Sequence, residues 1–347
     1  MLFNFTLKTS LLANSRRGEI FKRGEGRPLF SLAKTNFTRV KLGYSPLLNG
    51  VFWSLFAAVG KSDNKRKFKK LIDTKSKKCY NYLNKNKKDK KMLHSYHNHT
   101  YRCNHASGSE REFIEKAIAE GIKTLGFSDH APMPFDNGYY SHFRMKLSET
   151  EDYIKTLVSL RDEYKNDIKI HIGFEAEYYP DVFPRMIDFL SDYPYEYLIL
   201  GQHALGNEQN DHYCSAKTTD KTHLTRYVDQ VIEGISTGRY IYIAHPDILN
   251  YVGDNDFYRA EMSRLCGAAK ENDVLLEINV LGMREDRNYP NPEFWKIAAE
   301  QGCTAILGQD AHHVSDITAP KTEQKAIELA RQSGIRITKS LEDRLEK

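Results

Sequence analysis

Residues 93–130 read LHSYHNHTYRCNHASGSEREFIEKAIAEGIKTLGFSDH. A short run, Leu93–His99, ends in the pair His97 and His99. An amphipathic stretch, Ser109–Glu120, follows, and a second short run, Thr124–Ser128, leads into Asp129 and His130. The sequence repeats this unit: strand, helix, strand, with side chains able to bind a metal where nearly every strand stops. Further strands are expected at Ile168–Phe174, Tyr197–Leu200, Tyr240–Ala244, Val274–Val280 and Ala305–Gly308. Further helices are expected at Ser148–Lys165, Asp220–Thr237, Asp256–Glu271, Pro292–Glu300 and Thr322–Gln332. Ser109 stands as an N-cap, Ser148 stands three before Glu151 at capping-box spacing, and Gly121, Gly238 and Gly334 close helices. Seven such strand–helix units predict an α/β fold, a closed parallel (β/α)7 barrel, with an eight-stranded barrel as the rival.

The formal charge of +5 over 347 residues conceals two compositions. Residues 1–91 carry 23 lysines and arginines against 5 acids; residues 92–347 carry 28 against 41, and all 13 histidines. The division expected is therefore a basic leader, 1–91, and a catalytic domain, 92–347. Lys61–Lys91 holds 14 basic residues against three aspartates, too little apolar surface to fold, so disorder is expected there. Leu47–Gly60 is an apolar run of 14 residues, short of the ~20 that span a bilayer. Three readings stay open for the leader: an organelle-targeting segment, a basic tail for nucleic acid, or a stretch outside a functional unit that starts at Met92. For the domain itself neither nucleic acid nor membrane is an expected partner. The five cysteines (Cys79, Cys103, Cys214, Cys266, Cys303) form no CxxC pair, which argues against a disulfide framework or thiolate zinc site and fits a reducing, cytoplasmic setting.

The strand ends carry the chemistry. Strand three leads into Glu175, strand four into His203, strand five into His245 and Asp247, and strand seven into Asp310 and His312. Spacing of two puts His97 and His99 on one face of a strand, and Asp310 and His312 on one face of another. In a parallel barrel these C-terminal ends meet at one rim. A lone strand-end histidine is ordinarily a satisfied structural group; six of seven strands ending in His, Asp or Glu is no accident. Imidazoles and carboxylates without thiolates suit zinc, iron or manganese. So many donors exceed the needs of one ion, and two or three divalent ions close together are expected, a cluster suited to in-line displacement at phosphorus. The acidic domain repels anions at range, so local cations must bind the substrate.

These residues resemble the PHP (polymerase and histidinol phosphatase) superfamily, and within it the histidinol-phosphatase branch. The matching motifs run in family order from Met92 to about Ile337: HSYHNHTYRCNH (94–105), GFSDHAP (126–132), GFEAEY (173–178), LGQHA (200–204), AHPD (244–247), EINVLGMR (277–284) and GQDAH (308–312). FRMKLSE, following GFSDHAP, favours the phosphatase branch. The resemblance implies a distorted (β/α)7 barrel with a trinuclear metal centre that hydrolyses L-histidinol phosphate to L-histidinol and phosphate, a step of histidine biosynthesis. It implies that His97, His99, Glu175 and Asp310 hold one ion, and that Glu175 bridges to a second held by His203 and His245. His105, His130 and His312 would hold a third, with a hydroxide between the first two as nucleophile. Gln309 stands where the family commonly has Ser, which predicts altered hydrogen bonding around the centre rather than lost activity.

Arg284, after the sixth strand, is the expected phosphate-binding arginine, counted with Glu175 and Asp310 among the catalytic residues; a surface ion pair is the alternative. Arg144 and Lys146 are further candidates for the phosphate, and Glu177 and Asp247 for the amine or imidazole of the substrate, with a salt-bridged role equally open. His171 reads as a core histidine, and His142, His212, His223 and His313 as solvated. Rival functions are a PHP phosphoesterase acting on another small ester or phosphotyrosine, a metal-stabilised scaffold without catalysis, and an amidohydrolase-type deaminase.

Overall fold

The computed structural model describes residues 92–209 and 212–346, so the readings of the leader lie outside the described residues. Eight parallel strands form one sheet in sequence order: β1 His94–Ser95, β2 Thr124–His130, β3 Lys169–Ala176, β4 Tyr197–Leu200, β5 Tyr240–Ile243, β6 Leu275–Asn279, β7 Thr304–Gly308 and β8 Arg336–Ile337. The main crossover helices are α1 Glu110–Ala119, α2 Thr150–Glu163, α3 Phe183–Leu190, α4 Lys221–Ser236 and α5 Asn255–Glu271. They are followed by α6 Val280–Arg284, α7 Pro292–Glu300, α8 Pro320–Ser333 and the short α9 Glu342–Leu345. Among the described residues no helix is long and apolar enough to cross a membrane, and Cys103, Cys214, Cys266 and Cys303 are all buried.

Alternation sorts each strand between two cores. On β3, Ile170, Ile172 and Phe174 join the large core under the helices, while His171, Gly173 and Glu175 take the other face. Inside the ring lies a smaller core of Tyr96, Tyr197, Ile199, Tyr242, Leu275 and Ile306, closed from below by Leu341. The curled sheet is a distorted (β/α)7 barrel. Its short β8 pairs with the start of β7, and the segment after it hydrogen-bonds beneath Tyr96, whose hydroxyl accepts from Leu341 N at 3.1 Å. Beyond β8, the join of β1 and β7 rests on isolated bridges, Asn98 to Ala311 and Ser107 to His313, with His99 N donating to Ala311 O at 2.9 Å.

Several local expectations are corrected. Only His94–Ser95 of the Leu93–His99 run is regular strand; beyond it Asn98 O still accepts from Ser128 N of β2 at 2.9 Å, while Asn98 also bridges to Ala311 after β7. Val280 begins a helix rather than ending a strand, because Asn279 Oδ1 accepts from Gly282 N and caps it. Ser148 does not cap: a 3₁₀ turn at Leu147–Glu149 starts earlier, and Lys146 N donates to Glu149 Oε2 instead. The two-residue β8, α3 and α6 were too short to show a period. Ser109 does cap α1, accepting from Glu112 N at 3.3 Å while its own N–H donates to Glu112 Oε2 at 2.7 Å. Ser109→Ala is therefore expected to cost about 1 kcal/mol and to lower the thermal midpoint by roughly 2–4 °C, read by circular dichroism melts.

Candidate metal centre

His97, His99, His105, His130, Glu175, His203, His245, Asp310 and His312 come together at one rim, whereas Asp247, also at a strand end, turns to Asn291. His97 Nε2 and His99 Nε2 lie 3.1 Å apart, and Asp310 Oδ1 stands 3.5 Å from the first and 3.1 Å from the second. Glu175 lies at the middle. Its Oε2 is 3.5 Å from His97 Nε2, 3.6 Å from His99 Nε2 and 3.1 Å from His130 Nδ1, while its Oε1 is 2.9 Å from His245 Nε2 and 3.6 Å from His203 Nε2. To one side His105 Nε2 and His312 Nε2 face each other at 2.9 Å. His99, His130 and His312 offer ligand atoms within 4.8 Å of one another, as do His97, His99 and Asp310. His245 and Asp310 take positive φ, 30° and 51°, a costly backbone for residues with a Cβ and one that gathers at functional sites.

The donor set fits divalent cations. Imidazole nitrogens that face one another leave lone pairs unused, and Nδ1 of His99, His130 and His245 is buried without a hydrogen-bond partner. Burial resists charge on His97, yet Glu277, Asp310 and Glu175 lift its pKa well above the imidazole value. A cation among the same carboxylates replaces that proton. Burial likewise opposes ionisation of Glu175, but His203, His97 and His130 hold its carboxyl well below the usual range. His312 is pushed down to about 3 by burial and by His99.

The rings are held from behind, as metal-ligating imidazoles are. His97 Nδ1 bonds Glu277 Oε1 at 2.7 Å, His203 Nδ1 bonds Glu177 Oε1 at 2.8 Å, His105 Nδ1 bonds Cys103 O at 2.8 Å, and His312 Nδ1 bonds Asp310 O at 3.1 Å. Glu277 Oε2 also accepts from His245 N and from Asn279 Nδ2, and Asn279 Nδ2 reaches Asp310 Oδ2 at 3.1 Å. Sequence reasoning gave Glu277 and Asn279 no role. Their signal was spacing of two at the end of the sixth strand, the strand left without an assigned end residue. Gln309 turns away, donating to Glu323 Oε1 at 2.7 Å.

Above the donors opens a cavity of about 710 Å³ whose walls include Phe143, Tyr213, Arg287, Tyr289 and Asp316. The residues expected to meet the substrate are not on it. Arg144 is buried against Glu208 and Glu177, and Lys146 is exposed, 5.6 Å from the centroid of the Tyr140 ring. Glu177 is wholly buried behind His203. Asp247 accepts from Asn291 N, and burial pushes its carboxyl up to about 7. Arg284 pairs with Asp316 at 3.1 Å, the ion-pair alternative. The arginine on the cavity wall is Arg287, with Glu285 at 2.6 Å and the Tyr289 hydroxyl at 2.8 Å. His171 is buried, with Glu196 and Glu342 each at 3.4 Å, as a core histidine should be. His313 is exposed at the cavity rim.

Imidazoles and carboxylates gathered at the C-terminal rim of a parallel barrel suit the binding of divalent ions. The chain belongs to the PHP domain family, whose model matches residues 95–280. It is 28% identical over 227 residues to the "Probable histidinol-phosphatase" of Deinococcus radiodurans, covering 64% of this chain and 86% of that one. It is 24% identical over 254 residues to the histidinol-phosphatase of Bacillus subtilis, covering 64% and 94%. Among solved structures, the histidinol phosphate phosphatase of Lactococcus lactis, complexed with zinc, L-histidinol and phosphate, superposes with a TM-score of 0.58 at 19% identity, covering 71% of this chain and 95% of that one.

Proposed function

We propose that the domain hydrolyses L-histidinol phosphate to L-histidinol and phosphate in a cytoplasmic setting. The observation that carries the reading is the convergence of nine imidazole and carboxylate donors beneath one cavity. Support for the substrate comes from the Bacillus subtilis histidinol-phosphatase and from the Lactococcus lactis protein with its histidinol and phosphate. In this reading His97, His99, Glu175 and Asp310 hold one divalent ion, Glu175, His203 and His245 a second, and His105, His130 and His312 a third. Zinc, iron and manganese all suit these ligands. Ions held there supply an acidified water and neutralise the phosphoryl oxygens.

The chain's own groups do the rest. Glu277 and Glu177 accept Nδ1–H from His97 and His203, which leaves Nε2 of each ring free to ligate. Arg287, on the cavity wall, is placed to bind the phosphate in this reading, since a guanidinium fork suits a phosphoryl group. Phe143, Tyr213 and Tyr289 line the cavity with aromatic surface suited to the imidazole ring of the departing alcohol.

The test is phosphate release by the metal-loaded full chain from L-histidinol phosphate, phosphotyrosine and a sugar phosphate. The expected kcat/KM for L-histidinol phosphate exceeds the others by at least about tenfold. A higher kcat/KM for phosphotyrosine would move the assignment to that substrate. No release from any of these esters would overturn the reading.

A further inference from the structure

Arg144 is among the largest fully buried side chains, 1% exposed, on the segment between β2 and α2. Its guanidinium is spent inside the protein. Nη1 donates to Ala131 O at 2.8 Å, Nε donates to Glu208 Oε1 at 3.1 Å, and Nη2 lies against Glu208 Oε2 and 3.1 Å from Glu177 Oε1. That same Glu177 oxygen bonds His203 Nδ1 at 2.8 Å. One carboxylate oxygen thus stands between a guanidinium and an imidazole. The Tyr179 hydroxyl donates to Glu208 Oε2 at 3.2 Å, so the cluster ties together the segments that follow β2, β3 and β4. Phe143, next in the chain, sets its ring edge-on to His130 with centroids 5.5 Å apart and to His203 at 6.3 Å.

We infer that Arg144 is the positioning residue for His203, acting through Glu177, and for the backbone beside His130, acting through Ala131 O. The inference rests on reading His203 and His130 as metal ligands. A carboxylate paired with a guanidinium is an acceptor only. His203 must then donate from Nδ1, and its bare Nε2 faces Glu175 Oε1 at 3.6 Å. Without Arg144, two buried carboxylates, Glu177 and Glu208, face each other with no cation between them, and the acceptor behind His203 loses its fixed place. To meet a phosphate, Arg144 would have to abandon both carboxylates and the Ala131 carbonyl together. The forked, planar group is required, because a lysine ammonium cannot serve three acceptors at these separated positions.

The test uses Arg144→Met and Arg144→Lys in the full chain. Metal equivalents are measured after dialysis against a chelator, and zinc affinity by competition with an indicator, both without substrate. Arg144→Met is expected to bind its weakest equivalent about 10–100-fold less tightly, with Arg144→Lys in between. Excess zinc should recover kcat while KM stays within about twofold of the parent. Unchanged zinc affinity with KM raised about tenfold would overturn the inference and return Arg144 to the phosphate. If Arg144→Met does not fold, Glu177→Gln replaces it: the same loss of zinc affinity is expected, and full affinity there overturns the inference. Because metal binding is read without substrate, the result stands whichever ester the enzyme hydrolyses.

Discussion

Glu175→Gln is expected to lower phosphate release by several orders of magnitude while far-UV circular dichroism stays unchanged. The carboxylate is 1% exposed, and five imidazoles, those of His97, His99, His130, His203 and His245, lie between 2.9 and 3.6 Å from its two oxygens. The amide keeps the volume, so packing should survive. It removes the charge that draws two cations together, and it turns one end into a donor aimed at nitrogens that must themselves donate electron pairs. Metal content should fall with turnover. Near-parental turnover at reduced metal content would refute a shared carboxylate at the centre.

Gly201→Ala should be damaging too, without touching a donor. A Cβ at Gly201 would stand 2.7 Å from Glu175 Cγ and 2.5 Å from Cδ, where real Cβ atoms keep beyond 3.0 Å. Glu175 has no room to retreat, since its oxygens are ringed by imidazoles, so either the carboxylate or the backbone before His203 must shift. Overpacking of this kind costs about 1–3 kcal/mol, and misplacing a reacting centre by about 1 Å costs on the order of a hundredfold in rate. Turnover should drop by about that factor, with loss of metal affinity and a lower melting temperature. Gly308→Ala is its counterpart, with the new Cβ 2.9 Å from Glu277 Cγ, whereas Gly267→Ala on α5 meets nothing within 4 Å and should act as the parent. A Gly201→Ala protein with parental rate and metal content would show that the carboxylate is free to relocate.

The clustering of these side chains was legible because strands are legible from alternation and the C-terminal ends of parallel strands meet at one rim. His97, Glu175 and Asp310 each sit where a short apolar run stops. The eighth strand, two residues long, offers no period to read, and α6 is hidden behind Asn279, which ends β6 and caps the helix at once. Substrate contacts were harder for a different reason. Position in a loop tells where a guanidinium starts, not which way it turns. Arg144 is bound inward by Glu208, 64 residues away, whereas Arg287 faces the cavity. Glu277 stands behind His97 across 180 residues of sequence, a pairing only the closed ring creates.

The weak join between β1 and β7 has a consequence for how the protein breathes. Elsewhere successive strands share regular ladders; here the backbone offers isolated bridges. Yet His97 and His99 stand on one bank and Asp310 and His312 on the other. A cation held between them would be a rivet across the seam, tying β1 to β7. Metal loss is then expected to loosen this seam while the ladders elsewhere hold, so the thermal midpoint should fall as free metal is withdrawn.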